Sequence, residues 1–373
     1  MIFVSHLTTV HSAKDVRVYQ RFSKGIHSEV GGVRILHCGE CHDSAEDGVQ
    51  FVEVDKRRNR FGRIVISSLK ILLKARKYKS DVYHIHDPEL FWISMFMPRK
   101  SITVIDFHEN YSKKIQAKEW IPKGLRMILT LLYQASLVFL VPGRVKVIAA
   151  AESVIDGMPR RMSREAVVVR NLPAWNGSSS AIEAIRGNSV AGSEGLSILY
   201  TGGITEFRGI ENVIKAVAQY GGTDWKLTII GRKNEALYAR LGEYFQDERI
   251  RYYGEVTYEE SLNFQRNADV GVVCNLPLYD YDKALPNKLF EYLSFGIPVV
   301  CSNFELWRAI VAENNVGSVC DPEDLSSIAD SIKAVRNMLV LDEGVRQRCV
   351  DLIKEKYSWE NEKKVLLEVY DVI

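Results

Sequence analysis

Short apolar runs of strand length alternate with helix-length periodic segments along the whole chain, and this alternation most narrows what the chain can fold into. Runs such as Val33 to Leu36, Val82 to His84, Lys226 to Ile230 and Val270 to Val273 fit strands buried in a parallel sheet. Between such runs, Ser12 to Ile26 carries Val16, Val18, Tyr19, Phe22 and Ile26 at roughly helical spacing. Arg63 to Arg76 does the same with Ile64, Ile66, Leu69, Leu72 and Leu73. The expected class is α/β, with helices covering parallel sheets.

A chain of 373 residues is too long for one ordinary domain and suits two. The alternation breaks once, over Asn171 to Gly195, where Ser, Gly, Ala and Asn dominate and apolar periodicity disappears. The expected organisation is an N-terminal domain over 1–172, a linker over 173–195 and a second doubly wound domain over 196–356. Residues 357–373 form a last helix that can pack back on the first domain. Two such domains in series are expected to face each other across a cleft at the carboxyl ends of their strands.

Composition excludes several classes. Lys plus Arg at 49 against Asp plus Glu at 47 leaves a net charge of +2, so no global field gathers nucleic acid. At 46% hydrophobic and 26% charged residues, the chain is globular. The start, MIFVSHLTTVHSAKD, reads as a strand and polar loop rather than a secretory signal. The six cysteines are therefore expected as reduced, buried thiols in a cytosolic protein. Gly124 to Pro142 is apolar enough to suggest a membrane span, but Arg126 and Gln134 interrupt it. Two readings remain for it: a helix packed on the protein, or one lying on a bilayer, aided by Lys113, Lys114, Lys118, Lys123 and Arg126.

Two segments carry the chemistry. Tyr200-Thr-Gly-Gly-Ile-Thr-Glu-Phe-Arg-Gly209 leaves a strand through Gly202 and Gly203 and enters a helix at Ile210. Glycines let backbone approach a ligand, the helix offers free N–H groups, and Arg208 suits phosphate oxygens. In Leu285-Pro-Asn-Lys-Leu-Phe-Glu-Tyr-Leu-Ser-Phe-Gly296, Lys288 and Glu291 stand three residues apart near a helix start that Asn287 could cap. Either they form a surface ion pair, or they serve a nucleoside diphosphate as phosphate cation and ribose-binding carboxylate.

These segments resemble retaining family 4 glycosyltransferases of the GT-B fold, especially bacterial members that build surface polysaccharides. The likeness extends to Val10-His-Ser-Ala-Lys-Asp-Val-Arg-Val18, Asp81-Val-Tyr-His-Ile-His-Asp-Pro-Glu89, Asp106-Phe-His-Glu109 and Val167-Val-Val-Arg-Asn-Leu-Pro173. It implies two Rossmann-like domains. It further implies Arg208 on the donor diphosphate with Gly202 and Gly203 beside it, Glu291 on the donor ribose, and His108 near the transferred sugar. Asn287 and Lys288 would join the donor site. His11, Asp15, Arg17, His86 and Glu109 would belong to the reacting-centre or acceptor side. Two positions depart from the family's pattern: Gly203 stands where many relatives have Arg, and Lys283 where they have a sugar-contacting Glu.

The implied activity is transfer of a sugar from a UDP- or GDP-sugar to a hydroxyl of a lipid-linked oligosaccharide, with retained configuration, for O-antigen, capsule or exopolysaccharide. The implied enzyme needs neither cofactor nor metal and works at the inner face of a membrane. The competing readings are a sugar-nucleotide 2-epimerase and a noncatalytic nucleotide-sugar or glycan-binding partner. Asp280-Tyr-Asp282 has a metal-binding form and Cys38-Gly-Glu-Cys41-His42 the form of a haem attachment or half a zinc site, but neither supplies a complete ligand set by spacing. His84, His86, Asp87 and Glu89 crowd one strand end and fit either a metal or acid–base cluster or, through His86, a structural support for the cleft.

Overall fold

A computed structural model describes residues 2–12, 14–38, 43–55, 62–118, 120–174, 195–278 and 281–373. Most of the expected linker, together with Cys41, His42 and Asp280, lies outside these residues. The chain divides into two compact units, one of 1–171 with 359–373 and one of 172–358.

Unit 1 holds one sheet of eight strands: β1 (Phe3–Thr8), β2 (Gly32–Cys38), β3 (Ser44–Glu46), β4 (Val49–Val54), β5 (Val82–Ile85), β6 (Ile102–Phe107), β7 (Lys146–Ala149) and β8 (Val167–Val168). Their order is β3-β4-β2-β1-β5-β6-β7-β8. All neighbours run parallel except β3, which pairs antiparallel with β4 at the edge. The exposed strand β3 is short and polar, and sequence gave no period for it. β1 pairs β2 on one side and β5 on the other, so the chain reverses its winding between β1 and β5. That reversal opens a crevice at the carboxyl ends of these two strands.

The helix expected over Ser12 to Ile26 is shorter than its periodicity suggests. It consists of a wide turn, Val16–Arg21, and a tight one, Lys24–Ile26. Asp15 sets its start by accepting from the backbone N–H of Arg17 at 2.8 Å and of Val18 at 3.0 Å. Arg63–Ser67 is likewise a wide turn, leading into the regular helix Ser68–Tyr78. The last helix, Trp359–Val369, belongs to unit 1, where Trp359 and Tyr370 are buried and Glu362 receives the Arg170 backbone N–H at 2.7 Å.

Unit 2 holds a wholly parallel six-stranded sheet: β9 (Leu196–Thr201), β10 (Trp225–Ile230), β11 (Ile250–Gly254), β12 (Val270–Val273), β13 (Val299–Ser302) and β14 (Gly317–Cys320). Its order is β11-β10-β9-β12-β13-β14, the doubly wound arrangement with its reversal between β9 and β12. One core cluster joins Ile198, Ile229 and Val272 to Val213, Ile214 and Val217 of the helix Ile210–Tyr220. Another joins Val299 and Cys301 to Leu289, Phe290 and Leu293 of the helix Asn287–Ser294. At about 1.5–3 kcal/mol per buried aliphatic side chain, these contacts hold both helices against the sheet. Cys38, Cys274, Cys301, Cys320 and Cys349 are free thiols, all buried.

Candidate functional site

In unit 2 the candidate donor site forms at the winding reversal. β9 ends at Thr201, and Gly202 follows at φ 132°, a conformation that L side chains rarely adopt. A methyl on Gly202 would lie 2.5 Å from the Arg208 guanidinium, so the absence of a side chain lets that cation lie against the turn. Gly209, at φ 63°, has the Cys274 carbonyl where its Cβ would be, at 1.8 Å. The helix Ile210–Tyr220 can therefore begin directly against the end of β12. Its first N–H groups and its dipole form a positive end at this point.

Lys288 brings a second cation. Its Nζ lies 4.2 Å from the centre of the Tyr200 ring, is enclosed, and has no hydrogen-bond partner among the described residues. Burial, and then the charge of Arg208, push its pKa down to about 7. The surface ion pair with Glu291 that the spacing allows is thus not formed. Glu291 nevertheless acts on Lys288 electrostatically from one turn along the helix. Asn287 does not cap that helix: Pro286 holds the cap position and Asn287 is the first helical residue, exposed. Pro286, at φ −74°, takes the extended conformation a cap needs, and this shifts Asn287 inward by one. Gly203 is half-buried and its carbonyl accepts from Tyr200 Oη at 2.8 Å. Lys283 ends a short turn, Tyr281–Lys283, and is exposed.

Two residues here carried no signal in the sequence. Tyr200 supplies the ring under Lys288, and Tyr292 Oη binds the N–H of Thr201 at 2.7 Å, fixing the strand end before Gly202. Both look like ordinary core aromatics until the strand and helix meet.

In unit 1 the candidate residues Arg17, His86 and His108 gather around the buried carboxylate of Asp106. Its oxygens receive the Arg17 guanidinium in a two-point pair at 2.8 and 2.7 Å, His86 Nδ1 at 3.2 Å and His108 Nε2 at 2.9 Å. Burial would raise the Asp106 pKa, but Arg17 and His108 hold it well below the usual carboxylate range. The signal was available: Asp106 and His108 are two apart at the end of a strand and so share a face.

The histidines continue as a chain. His86 faces Asp106 through Nδ1, so that nitrogen carries the proton and Nε2 accepts from His6 Nδ1 at 2.9 Å. His84 stacks on His86 at 4.2 Å and reaches Tyr370 Oη through Nδ1 at 2.5 Å. Burial lowers the pKa of His6 and His84 well below the ordinary value and that of His86 to about 4, so all three are neutral at pH 7.

His11 differs. It lies between Asp15 at 3.5 Å and Asp87 at 3.3 Å, with its ring 4.4 Å from that of His108. Burial opposes charge on it, but the Asp15 hydrogen bond and the Asp87 charge prevail and raise its pKa. Asp15 is correspondingly lowered, since its bonds to His11 and Val18 outweigh its burial. Asp87, buried, ties down the loop by accepting from Thr8 Oγ1 at 2.7 Å and the Thr9 N–H at 2.5 Å.

The structure thus brings together His11, Asp15, His86, His108 and Arg17, while Glu109 is exposed and pairs with Lys114. Arg17 and His86 are enclosed; both meet Asp106, and His86 Nδ1 also lies 3.4 Å from His108 Nε2. His6, His84 and His86, and also His86, Asp106 and His108, have ligand-type atoms within 4.8 Å of one another. A cation at the second group would sit beside the Arg17 guanidinium. At the first, it would have to break the His6–His86 hydrogen bond. Both groups are better described as hydrogen-bonded networks.

The chain is similar to known proteins over part of its sequence and throughout its fold. Phosphatidyl-myo-inositol mannosyltransferase from Mycobacterium leprae (strain TN) is 26% identical over 151 residues, which is 40% of this chain and 38% of that protein. Sucrose-phosphate synthase (tll1590) from Thermosynechococcus elongatus superposes with a TM-score of 0.72 at 14% identity, over 100% of this chain and 98% of the other. Anabaena Alr3699/HepE, solved in complex with UDP and glucose, superposes with 0.69 at 11% identity, over 100% of both chains. At these identities the likeness establishes the fold, two Rossmann-like α/β units of the GT-B class. Residues 181–356, nearly all of unit 2, match the family described as glycosyl transferases group 1.

Proposed function

We propose that this protein transfers a sugar from a nucleotide-sugar donor to a hydroxyl of a lipid-linked oligosaccharide, with retention of configuration, in bacterial surface polysaccharide synthesis. The enclosed Lys288 amine, which has no hydrogen-bond partner among the described residues and lies beside Arg208 and a helix start, carries the reading, because an amine and a guanidinium gathered at a positive helix end suit a polyanion. The family match over this unit and the UDP in Alr3699/HepE support the same ligand class.

In the reaction, the bond from the anomeric carbon to the β-phosphate oxygen breaks and charge grows on the leaving diphosphate. Arg208, Lys288 and the N–H groups after Gly209 stabilise that charge without a metal. Glu291 accepts from the ribose hydroxyls. In unit 1 the His108 ring is held by Asp106, and in the transfer the leaving phosphate takes the acceptor proton. In a thermal-shift screen with UDP-, GDP- and CDP-sugars, one class stabilises the wild type, and Glu291→Ala weakens that binding by tenfold or more. Equal binding by the variant would remove Glu291 from the site.

A lipid-linked acceptor fits the helix Lys123–Leu140, which is turned inside out. Its polar residues face the protein: Arg126 donates to the Gln116 carbonyl at 2.8 Å, Thr130 Oγ1 receives Gln116 Nε2 at 2.9 Å, and Gln134 Nε2 donates to Ser112 Oγ at 2.7 Å. Its apolar residues face out, Phe139 being 77% exposed, with Leu131, Leu132, Met127 and Ile128 also open and Trp120 just ahead of the helix at 75%. Only Leu137 is buried. Between Tyr111 and Lys146 the chain carries seven basic residues and one acidic one, Glu119. Such a face suits the anionic inner leaflet of a membrane. The protein is expected to co-sediment with vesicles containing phosphatidylglycerol and not with phosphatidylcholine alone, and Leu131→Glu with Phe139→Glu to abolish this. Equal sedimentation of that double variant would contradict membrane docking by this helix.

A further inference from the structure

Lys288 is an enclosed amine of the proposed donor site with no hydrogen-bond partner among the described residues. Four other groups face it: the Tyr200 ring from β9, the Arg208 guanidinium from the turn before the helix Ile210–Tyr220, the Cys274 thiol after β12, and Glu291 on its own helix. None gives the amine a hydrogen-bond acceptor. Burial and Arg208 disfavour its charge, and Cys274 and Glu291 oppose them with less weight, leaving the pKa at about 7. An amine enclosed beside a guanidinium is therefore readily neutral in the empty site. A diphosphate reverses this, since its oxygens supply both the acceptors and the counter-charge that the enclosure lacks.

We propose that binding of a nucleoside diphosphate in unit 2 loads a proton from solvent onto Lys288, so that donor affinity is linked to pH through this side chain. The proposal rests on the nucleotide-sugar reading and goes beyond it. The Lys288 amine gains one proton as the diphosphate enters and releases it as the diphosphate leaves. The second cation of the site is thus present while charge develops on the leaving phosphate and absent when the site is empty. Above about pH 8, affinity falls roughly tenfold per pH unit, and below about pH 6 Lys288 no longer makes it depend on pH.

The linkage has a stability counterpart. The folded pKa lies below the unfolded lysine value, so between pH 7 and that value the unfolded chain binds more protons, and stability rises with pH. Lys288→Met removes this burden and should raise the Tm of the empty protein by a few degrees at pH 7, with the gain shrinking at higher pH.

The test is calorimetric titration of the full chain with UDP, GDP and CDP at pH 8.5, in two buffers of different protonation enthalpy. The nucleotide phosphates are fully ionised there, so protons can load only onto the protein. The expected result is uptake of close to one proton per nucleotide bound by the wild type and none by Lys288→Met, which remains folded and binds more weakly. Binding without uptake, or unchanged uptake in Lys288→Met, overturns the proposal. Failure of all three nucleotides to bind overturns the nucleotide reading itself, and the linkage with it.

Discussion

Replacing Arg208 by Ala is expected to lower sugar transfer by roughly 10²–10³-fold, the typical loss when one preorganised donor to a developing anion is removed. The basis is geometric. Gly202 leaves room for the guanidinium against the turn, and Gly209 lets the following helix start beside it, so the cation and the helix end converge. With Gly203 where many relatives of the resembled family have a second arginine, Lys288 is the other cation here, and burial weakens its charge. On the proposed function, Arg208 would therefore carry more of the leaving-group charge than it would beside a second arginine. Because Arg208 is half-buried at the end of a loop turn, the variant should melt within a few degrees of the wild type. Transfer measured with radiolabelled donor checks this, and a rate within threefold of wild type would remove Arg208 from the site.

The second large effect concerns stability. Arg17 is 4% exposed and Asp106 fully buried, and their two-point pair is joined by the Val169 carbonyl at 2.8 Å. Arg17→Met leaves the Asp106 carboxylate buried without its guanidinium. Breaking such a pair costs about 3–5 kcal/mol, which for a unit of this size lowers Tm by roughly 10 °C. The pH dependence identifies the cause. In the wild type the Asp106 pKa is depressed, so its contribution is complete above the unfolded carboxylate value and lost only as pH falls through the folded one. In Arg17→Met the carboxyl is raised instead and can be protonated in mild acid. The Tm deficit should be greatest at neutral pH and shrink toward pH 5; a deficit that is constant with pH would point to lost packing instead.

Much of this was legible in the sequence because parallel strands buried on both faces announce themselves as apolar runs. The strands around Val33, Val82 and Val270 in the structure were all visible in this way. The edge strand Ser44–Glu46, wholly exposed and polar, offered no such period. Neither did β14, Gly317–Cys320, whose middle residues are only half-buried. Between β10 and β11 the chain forms two short pieces, Glu235–Arg240 and Tyr244–Gln246, with Gly242 between them.

The candidate site was legible where chemistry follows local spacing, as for Gly202, Arg208, Lys288 and Glu291. It was not legible where partners come from distant strands. Arg17 and Asp106 are 89 residues apart, and His84 and Tyr370 are 286 apart, so only the tertiary packing of a helical turn and of the last helix on the sheet joins them. Arg17 thereby changes from a loop cation facing a ligand to the group that holds Asp106, and through it His108. Likewise, the helix Lys123–Leu140 shows its apolar content in sequence, but its direction, with apolar residues outward, depends on the bonds its polar residues make with Gln116, Ser112 and Gly157.

Sugar transfer from a nucleotide donor to a lipid-linked hydroxyl is tested by following a label from donor to acceptor. The wild-type protein is incubated with radiolabelled UDP-, GDP- and CDP-sugars and lipid-linked oligosaccharide acceptors, and the organic extract is counted and its new linkage examined by NMR. Label should appear in the lipid fraction from one nucleotide class, with the anomeric configuration of the donor retained. Label that stays with the nucleotide, whether unchanged or as an epimerised sugar, would contradict the account.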